Sequence, residues 1–183
     1  QRTFNPRLGI VGGLSVLGTS GIVEPMSEAA LVESIRAEMK ILAAAGRREL
    51  IVTPGNYGED FLKDLLGKPW PETVKCSNFV GETLDMAAEL EFKKVLLIGH
   101  IGKFVKLAAG IMNTHSRYAD GRMEILTAHA ALCGADSKTA SRLMECITTD
   151  DALDLLEQAG LREAVLKSVM KKIEFHFKDR KVL

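Results

Sequence analysis

The amino-acid sequence predicts an α/β fold: a mostly parallel sheet of four to five strands, with a helical C-terminal part over about 122–183. Three observations carry this expectation. Apolar runs of strand length alternate with segments of helical period through the first hundred residues. The run Lys94-Val95-Leu96-Leu97-Ile98-Gly99 is continuously apolar after its lysine, as expected of a parallel strand covered on both faces. A glycine-rich turn directly follows the first run, Leu8-Gly9-Ile10-Val11. Strands that each lead into a helix, joined by right-handed crossovers, make a Rossmann-like doubly wound arrangement the default. The chain of 183 residues, 46% hydrophobic and 26% charged, suits one such domain over 1–183.

After the glycine turn, Ser27 to Ala45 is amphipathic: Leu31, Ile35, Met39 and Leu42 share one face, and Gly46 is a natural stop. Glu49 to Thr53 reads as the second strand, ended by Pro54-Gly55-Asn56. A short helix from about Tyr57 to Leu66 runs into the breakers Gly67 to Pro71. Val74 to Asn78 is a weaker third strand, and Phe79 to Leu90 places Val80, Leu84 and Ala87 at helical spacing. Lys94 to Gly99 is the fourth strand. Beyond it the expected elements are helices: Ile101 to Ile111, Arg122 to Cys133, one opened by the capping box Thr148-x-x-Asp151, and Leu161 to Phe177.

Composition narrows the function. Lys+Arg and Asp+Glu both total 24, so charge gives no reason to expect a nucleic-acid or membrane-surface partner. No apolar run reaches the length of a membrane-spanning helix, and the polar start, which lacks methionine, reads as a cut or processed end rather than a secretion signal. Cys76, Cys133 and Cys146 form no CxxC pair, which fits reduced thiols in a cytoplasmic protein. The basic residues of the last helix read as a solvated face that complements the helix dipole. A homo-oligomer is left open.

The turn from Gly12 to Gly21 resembles two phosphate cradles and matches neither. Gly13 to Ser20 has P-loop spacing, but Thr19 stands where lysine is needed; the dinucleotide spacing G-x-G-x-x-G also fails, and Thr53-Pro54 replaces the ribose acid. A glycine turn with Ser15, Thr19 and Ser20 can hold a less charged, nucleoside-like ligand, or serve only as a structural turn. In an open parallel sheet ligands gather beyond the carboxyl ends of the strands. Those ends deliver Thr53, Asn56 and Tyr57; Ser77, Asn78 and Glu82; His100 and Lys103; and, one helix on, Asn113-Thr114-His115-Ser116-Arg117. His100 and His115 stand fifteen residues apart, which fits no short metal motif, and no protein-held metal is expected. His129 and His176 read as structural.

Longer motifs add a resemblance. Phe4 to Gly13 (FNPRLGIVGG) with Gly18 to Ser27 (GTSGIVEPMS), Thr53 to Gly58 (TPGNYG), Lys75 to Phe79 (KCSNF), Gly99 to Lys103 (GHIGK) and Gly110 to Ser116 (GIMNTHS) resemble the cobalt-precorrin-5B (C1)-methyltransferase family, in order from about Phe4 to Phe177. The resemblance implies methyl transfer from S-adenosylmethionine to ring carbon 1 of a cobalt-containing tetrapyrrole in anaerobic cobalamin biosynthesis, with cobalt only as part of the substrate. It implies that this chain is the C-terminal, Rossmann-like half, because the family's separate N-terminal domain has no counterpart in it. Carried onto this sequence, Gly12, Gly13, Gly18, Thr19, Ser20, Gly21 and Glu24 would hold the cosubstrate, with Asn56 and Asn78 framing its adenine side. His100, Lys103, Asn113, Thr114, Ser116 and Arg117 would meet the macrocycle and its carboxylates. His115 would handle a proton, if the nucleophilic carbon needs a base. Two other readings stand beside this one: a non-catalytic binding or assembly half of that enzyme, and a nicotinamide-dependent oxidoreductase, against which the glycine spacing counts.

Overall fold

The computed structural model describes residues 27–55, 58, 61, 63, 64 and 73–178. The expected first strand at 8–11, the glycine turn with Gly12, Gly13, Gly18, Thr19, Ser20, Gly21 and Glu24, and also Asn56, Tyr57 and most of the short helix after them, lie outside the described residues. Among those described there are seven helices and a three-stranded parallel sheet.

Helix α1 (Glu28–Ala44) starts where Ser27 Oγ accepts the Ala30 N–H at 3.1 Å, and it ends before Gly46, whose φ of +83° suits a residue without Cβ. Ile35 and Met39 face the core, as the spacing predicts. Strand β1 (Glu49–Thr53) buries Leu50 and Val52. Strand β2 (Thr73–Lys75) is shorter than expected. Its extension is stopped by a turn in which Ser77 takes φ +54° and the Phe79 N–H donates to Cys76 O at 2.9 Å. Helix α2 (Val80–Glu89) follows and packs on α1. Strand β3 (Lys94–Leu97) corrects one expectation. Among the described residues it is not covered on both faces: Leu96 is 54% exposed, and apolar composition alone cannot tell a covered face from an open one.

The strand order is β2-β1-β3, with Val52 in register with Val74 on one side and Leu97 on the other. The chain thus leaves β1 toward one edge and returns to the opposite one. In parallel sheets that reversal opens a crevice beyond the carboxyl ends of the two strands concerned, here β1 and β3.

The remaining helices are α3 (Ile101–Leu107), α4 (Arg122–Leu132), α5 (Ser137–Glu145), α6 (Thr149–Gln158) and α7 (Arg162–Lys178). They pack on one another through Leu126, Ala130, Leu143, Leu156, Val165 and Val169, which belong to the same buried cluster as the sheet. Helix α3 is shorter than the expected 101–111, giving way to a turn that places Gly110 at φ +75°. Helix α5 falls inside the expected helical C-terminal part, but the sequence did not single it out as an element. Asp136 caps it, accepting the Thr139 N–H at 2.7 Å, but it is only nine residues long and mostly polar, with Leu143 its one buried residue. The Thr148–Asp151 capping box forms as anticipated. His129 is structural: its Nδ1 lies 2.7 Å from Ser168 Oγ and ties α4 to α7.

Candidate functional site

The crevice at the strand-order reversal is a cleft of about 560 Å³, within the usual size of small-ligand sites. Its rim is made by the turn after β1 (Pro54, Gly55 and Gly58) and the turn after β3 (Gly99, His100 and Gly102). These turns touch closely. A Cβ added to Gly58 would stand 2.6 Å from Ile98 O and 2.7 Å from Thr53 Cγ2, and one on Gly99 would stand 2.9 Å from Pro54 Cδ. The Gly58 neighbour is main chain and cannot swing aside. Gly58→Ala is therefore expected to cost about 1–3 kcal/mol, measured as a lowered urea midpoint with the m-value unchanged.

The floor is supplied by α3 and by the segment that follows it. Lys103 points into the cleft, donating to Pro54 O at 3.1 Å and Asn78 Oδ1 at 2.9 Å. Among the described residues no carboxylate pairs with it. Burial pushes its ammonium below the usual lysine range, so an incoming anion would restore the charge that the fold discourages. Asn78 Oδ1 also accepts from Thr114 Oγ1 at 3.3 Å, which orients the amide and leaves Nδ2 as its donor. Thr114 N–H in turn donates to Asn78 O at 2.9 Å, continuing a short antiparallel pairing of Phe79 with Asn113.

Lys106, one turn along α3 from Lys103, is a cation the sequence reading missed. Only 4% exposed, it donates to Ala119 O at 2.8 Å and Thr114 O at 3.3 Å, with Asp120 Oδ1 at 3.9 Å. It thereby brackets the stretch that carries His115 and Ser116. Asp120 is gripped more tightly by Arg122, whose Nε and Nη2 donate to its two oxygens at 2.6 and 2.9 Å. That guanidinium holds the carboxyl below the usual range. Asp120, Arg122 and Asp150 also line the cleft and were missed, the first two because Asp120-Gly121 reads as a turn. The i,i+3 spacing of Lys103 and Lys106 was the available signal for Lys106.

Both cleft histidines accept a main-chain N–H two residues on: His100 Nδ1 from Gly102 at 3.1 Å and His115 Nδ1 from Arg117 at 3.0 Å. His100 Nε2 lies 3.6 Å from Asp150 Oδ1. The structure thus brings Asn78, His100, Lys103, Thr114, His115 and Ser116 together. Asn113 and Arg117 do not line the cleft. Asn113 Oδ1 accepts the His115 N–H at 3.1 Å, and Arg117 pairs with Glu28 of α1 and donates to Tyr118 Oη at 3.0 Å. The Tyr118 hydroxyl itself donates to Glu28 at 2.6 Å, so Arg117 is committed to tying this segment to α1.

Cys76 sits under Lys103, and burial pushes its thiol up to about 12. It is expected to resist iodoacetamide in the native chain and react only on unfolding, while the partly exposed Cys133 and Cys146 react first. Mass spectrometry of timed alkylation checks the order. Among the described residues no three His, Cys, Asp or Glu side chains converge on a metal-sized site, and no helix is long and apolar enough to cross a membrane.

A parallel α/β layer with a polar, cation-floored cleft at its carboxyl edge has the arrangement in which α/β proteins bind small molecules, and its lining suits a ligand with anionic oxygens. Comparison makes the class specific. Residues 113–181 match the family model described as "CbiD, C-terminal domain", and residues 1–25 match the model "CbiD". The cobalt-precorrin-5B C(1)-methyltransferase of Ruminiclostridium cellulolyticum is 52% identical over 180 residues, covering 98% of this chain and 47% of that protein. Those of Thermoanaerobacter sp. (52% over 161 residues, 87% of this chain, 43% of that protein) and Clostridioides difficile (45% over 163 residues, 89% and 40%) are similar. The chain belongs to the CbiD family, as its motifs suggested, and spans about half the length of the curated relatives it matches. No solved structure matches it. The C-terminal match begins at Asn113 and so takes in the cleft-lining stretch 114–116.

Proposed function

We propose that this chain supplies the substrate cleft for transfer of a methyl group from S-adenosylmethionine to carbon 1 of cobalt-precorrin-5B in cobalamin biosynthesis. The observation that carries the reading is Lys103, a half-buried cation with no carboxylate partner among the described residues, on the floor of a carboxyl-edge cleft. The macrocycle is rich in carboxylates, and one of them is the natural counter-ion. Cobalt enters as part of this substrate. The activity named for the relatives supports the choice of reaction.

The polar groups at the cleft suit a nucleoside-like cosubstrate. A Cβ on Gly55 would meet open space, and Asn78 keeps its Nδ2 donor. When bound, S-adenosylmethionine supplies an electrophilic methyl on a sulfonium. In this reading Asn78, with Asn56 and the turn Gly12, Gly13, Gly18, Thr19, Ser20, Gly21 and Glu24, holds it, while His100, Lys103, Thr114 and Ser116 hold the macrocycle and exclude water. Asn113 and Arg117 act from behind, by fixing the backbone of the His115 segment.

The finer fold belongs to the same proposal. It is a Rossmann-like, doubly wound, mostly parallel sheet of four to five strands, of which β2, β1 and β3 are three. The chain works as the C-terminal half of a cytoplasmic protein whose other half closes the cleft. A full-length family protein carrying this chain, given cobalt-precorrin-5B and S-adenosylmethionine, is expected to yield a product one methyl heavier at C1. Unchanged macrocycle, with S-adenosylmethionine intact, would reject the function.

A further inference from the structure

We propose that His115 serves the cleft as a fixed hydrogen-bond donor, offering Nε2–H to an anionic oxygen of the substrate, and does not act as a base. A neutral imidazole has one donor and one acceptor nitrogen, and the bond made by one decides the role of the other. His115 Nδ1 accepts the Arg117 N–H at 3.0 Å. The proton of the neutral ring therefore sits on Nε2. That nitrogen cannot take a second proton, and Nδ1 can take one only by giving up the amide.

The amide is not easily given up. The Arg117 main chain is held by its own side chain on Glu28 and by Tyr118 on the same carboxylate. On the other flank, the His115 N–H is held by Asn113 Oδ1, Thr114 by Asn78, and the carbonyls of Thr114 and Ala119 by Lys106. The ring stands on a segment pinned at both ends, while the side chain itself is exposed at the cleft. The charged groups sharing that cleft are Lys103, Lys106 and Arg122 against Asp120 and Asp150. Asp120 is occupied by Arg122, which leaves Lys103 and the His115 ring Nε2–H as donors in the same cleft for an oxygen anion. His100 has the same Nδ1-to-amide bond, from Gly102 at 3.1 Å, and belongs to the same tautomer.

What the proton meets rests on the function proposed above; the tautomer does not, and the experiment separates them. The chain has four histidines, so long-range ¹H–¹⁵N correlation of the imidazoles is assignable. At a pH where the rings are neutral, His115 and His100 are expected to show the Nε2–H pattern, and an Nδ1–H pattern for His115 overturns the proposal. In the full-length family protein carrying this chain, His115→Asn keeps an oxygen for the Arg117 amide but lacks the reach of Nε2. Its KM for the macrocycle is expected to rise roughly tenfold, with kcat within about twofold and an unchanged pH profile. A kcat loss of a hundredfold or more at unchanged KM, with the acid limb of the profile gone, marks a base and overturns the proposal. If the unsubstituted protein transfers no methyl, the function fails while the tautomer result stands.

Discussion

Lys106→Met is expected to lower the unfolding free energy by about 2–3 kcal/mol, a loss of on the order of 5–10 °C in Tm for a domain of this size. The methionine fills the same space, so the cost comes from what the ammonium leaves behind. Thr114 O and Ala119 O lose their donor, and a buried acceptor without a partner costs about 1–3 kcal/mol. Release of a desolvated charge offsets part of this. Asp120 keeps Arg122 and adds little. Because the orphaned carbonyls flank His115 and Ser116, the variant should also show faster amide exchange across 114–119 than elsewhere. A thermal melt with residue-resolved exchange checks both, and a melt within a degree of the parent would mean that the amine is solvated and its bonds carry nothing.

Lys103→Met, in the full-length family protein carrying this chain, is expected to raise KM for the macrocycle roughly 10–100-fold, the worth of one charge-assisted hydrogen bond, with stability changed little. The contrast with Lys106 is physical. Lys103 also donates to two protein oxygens, but burial already works against its charge, and removing the charge returns that cost. The sign with pH follows. The folded pKa is lowered, so at this group the unfolded chain binds more protons between that value and the usual lysine range, and the Lys103 contribution to stability rises with pH across that window. Substrate affinity runs the other way, falling as the ammonium deprotonates. In the methionine variant the Lys103 contribution to both slopes is lost. Steady-state KM and urea midpoints over the same alkaline range are the measurements.

How far the sequence reached is clearest in particular residues. Ser27, the Thr148–Asp151 box and Gly46 act locally, within four residues, so the helix ends they set were legible. Helix α5 was not placed as an element, because a nine-residue, mostly polar segment that buries one leucine resembles a loop in composition. The open face at Leu96 of β3 was hidden for a different reason: the residue looks the same in the sequence whether or not another element covers it. The strand-end rule found Asn78, His100, Lys103, Thr114, His115 and Ser116 because topology alone gathers them. It overreached at Arg117, whose partner Glu28 lies 89 residues away. It passed over Lys106, since a lysine in an apolar helix usually carries its charge out to water, whereas this one finds two carbonyls beneath the cleft.

The claim on which the rest depends is that the macrocycle docks at the carboxyl edge of β1 and β3. Hydrogen–deuterium exchange of the full-length family protein carrying this chain, with and without cobalt-precorrin-5B, tests it most directly. New protection is expected across 99–103 and 113–117. Protection confined to 46–49 and 90–94, at the amino edge of the same strands, or absent from this chain while the macrocycle is bound, would contradict it.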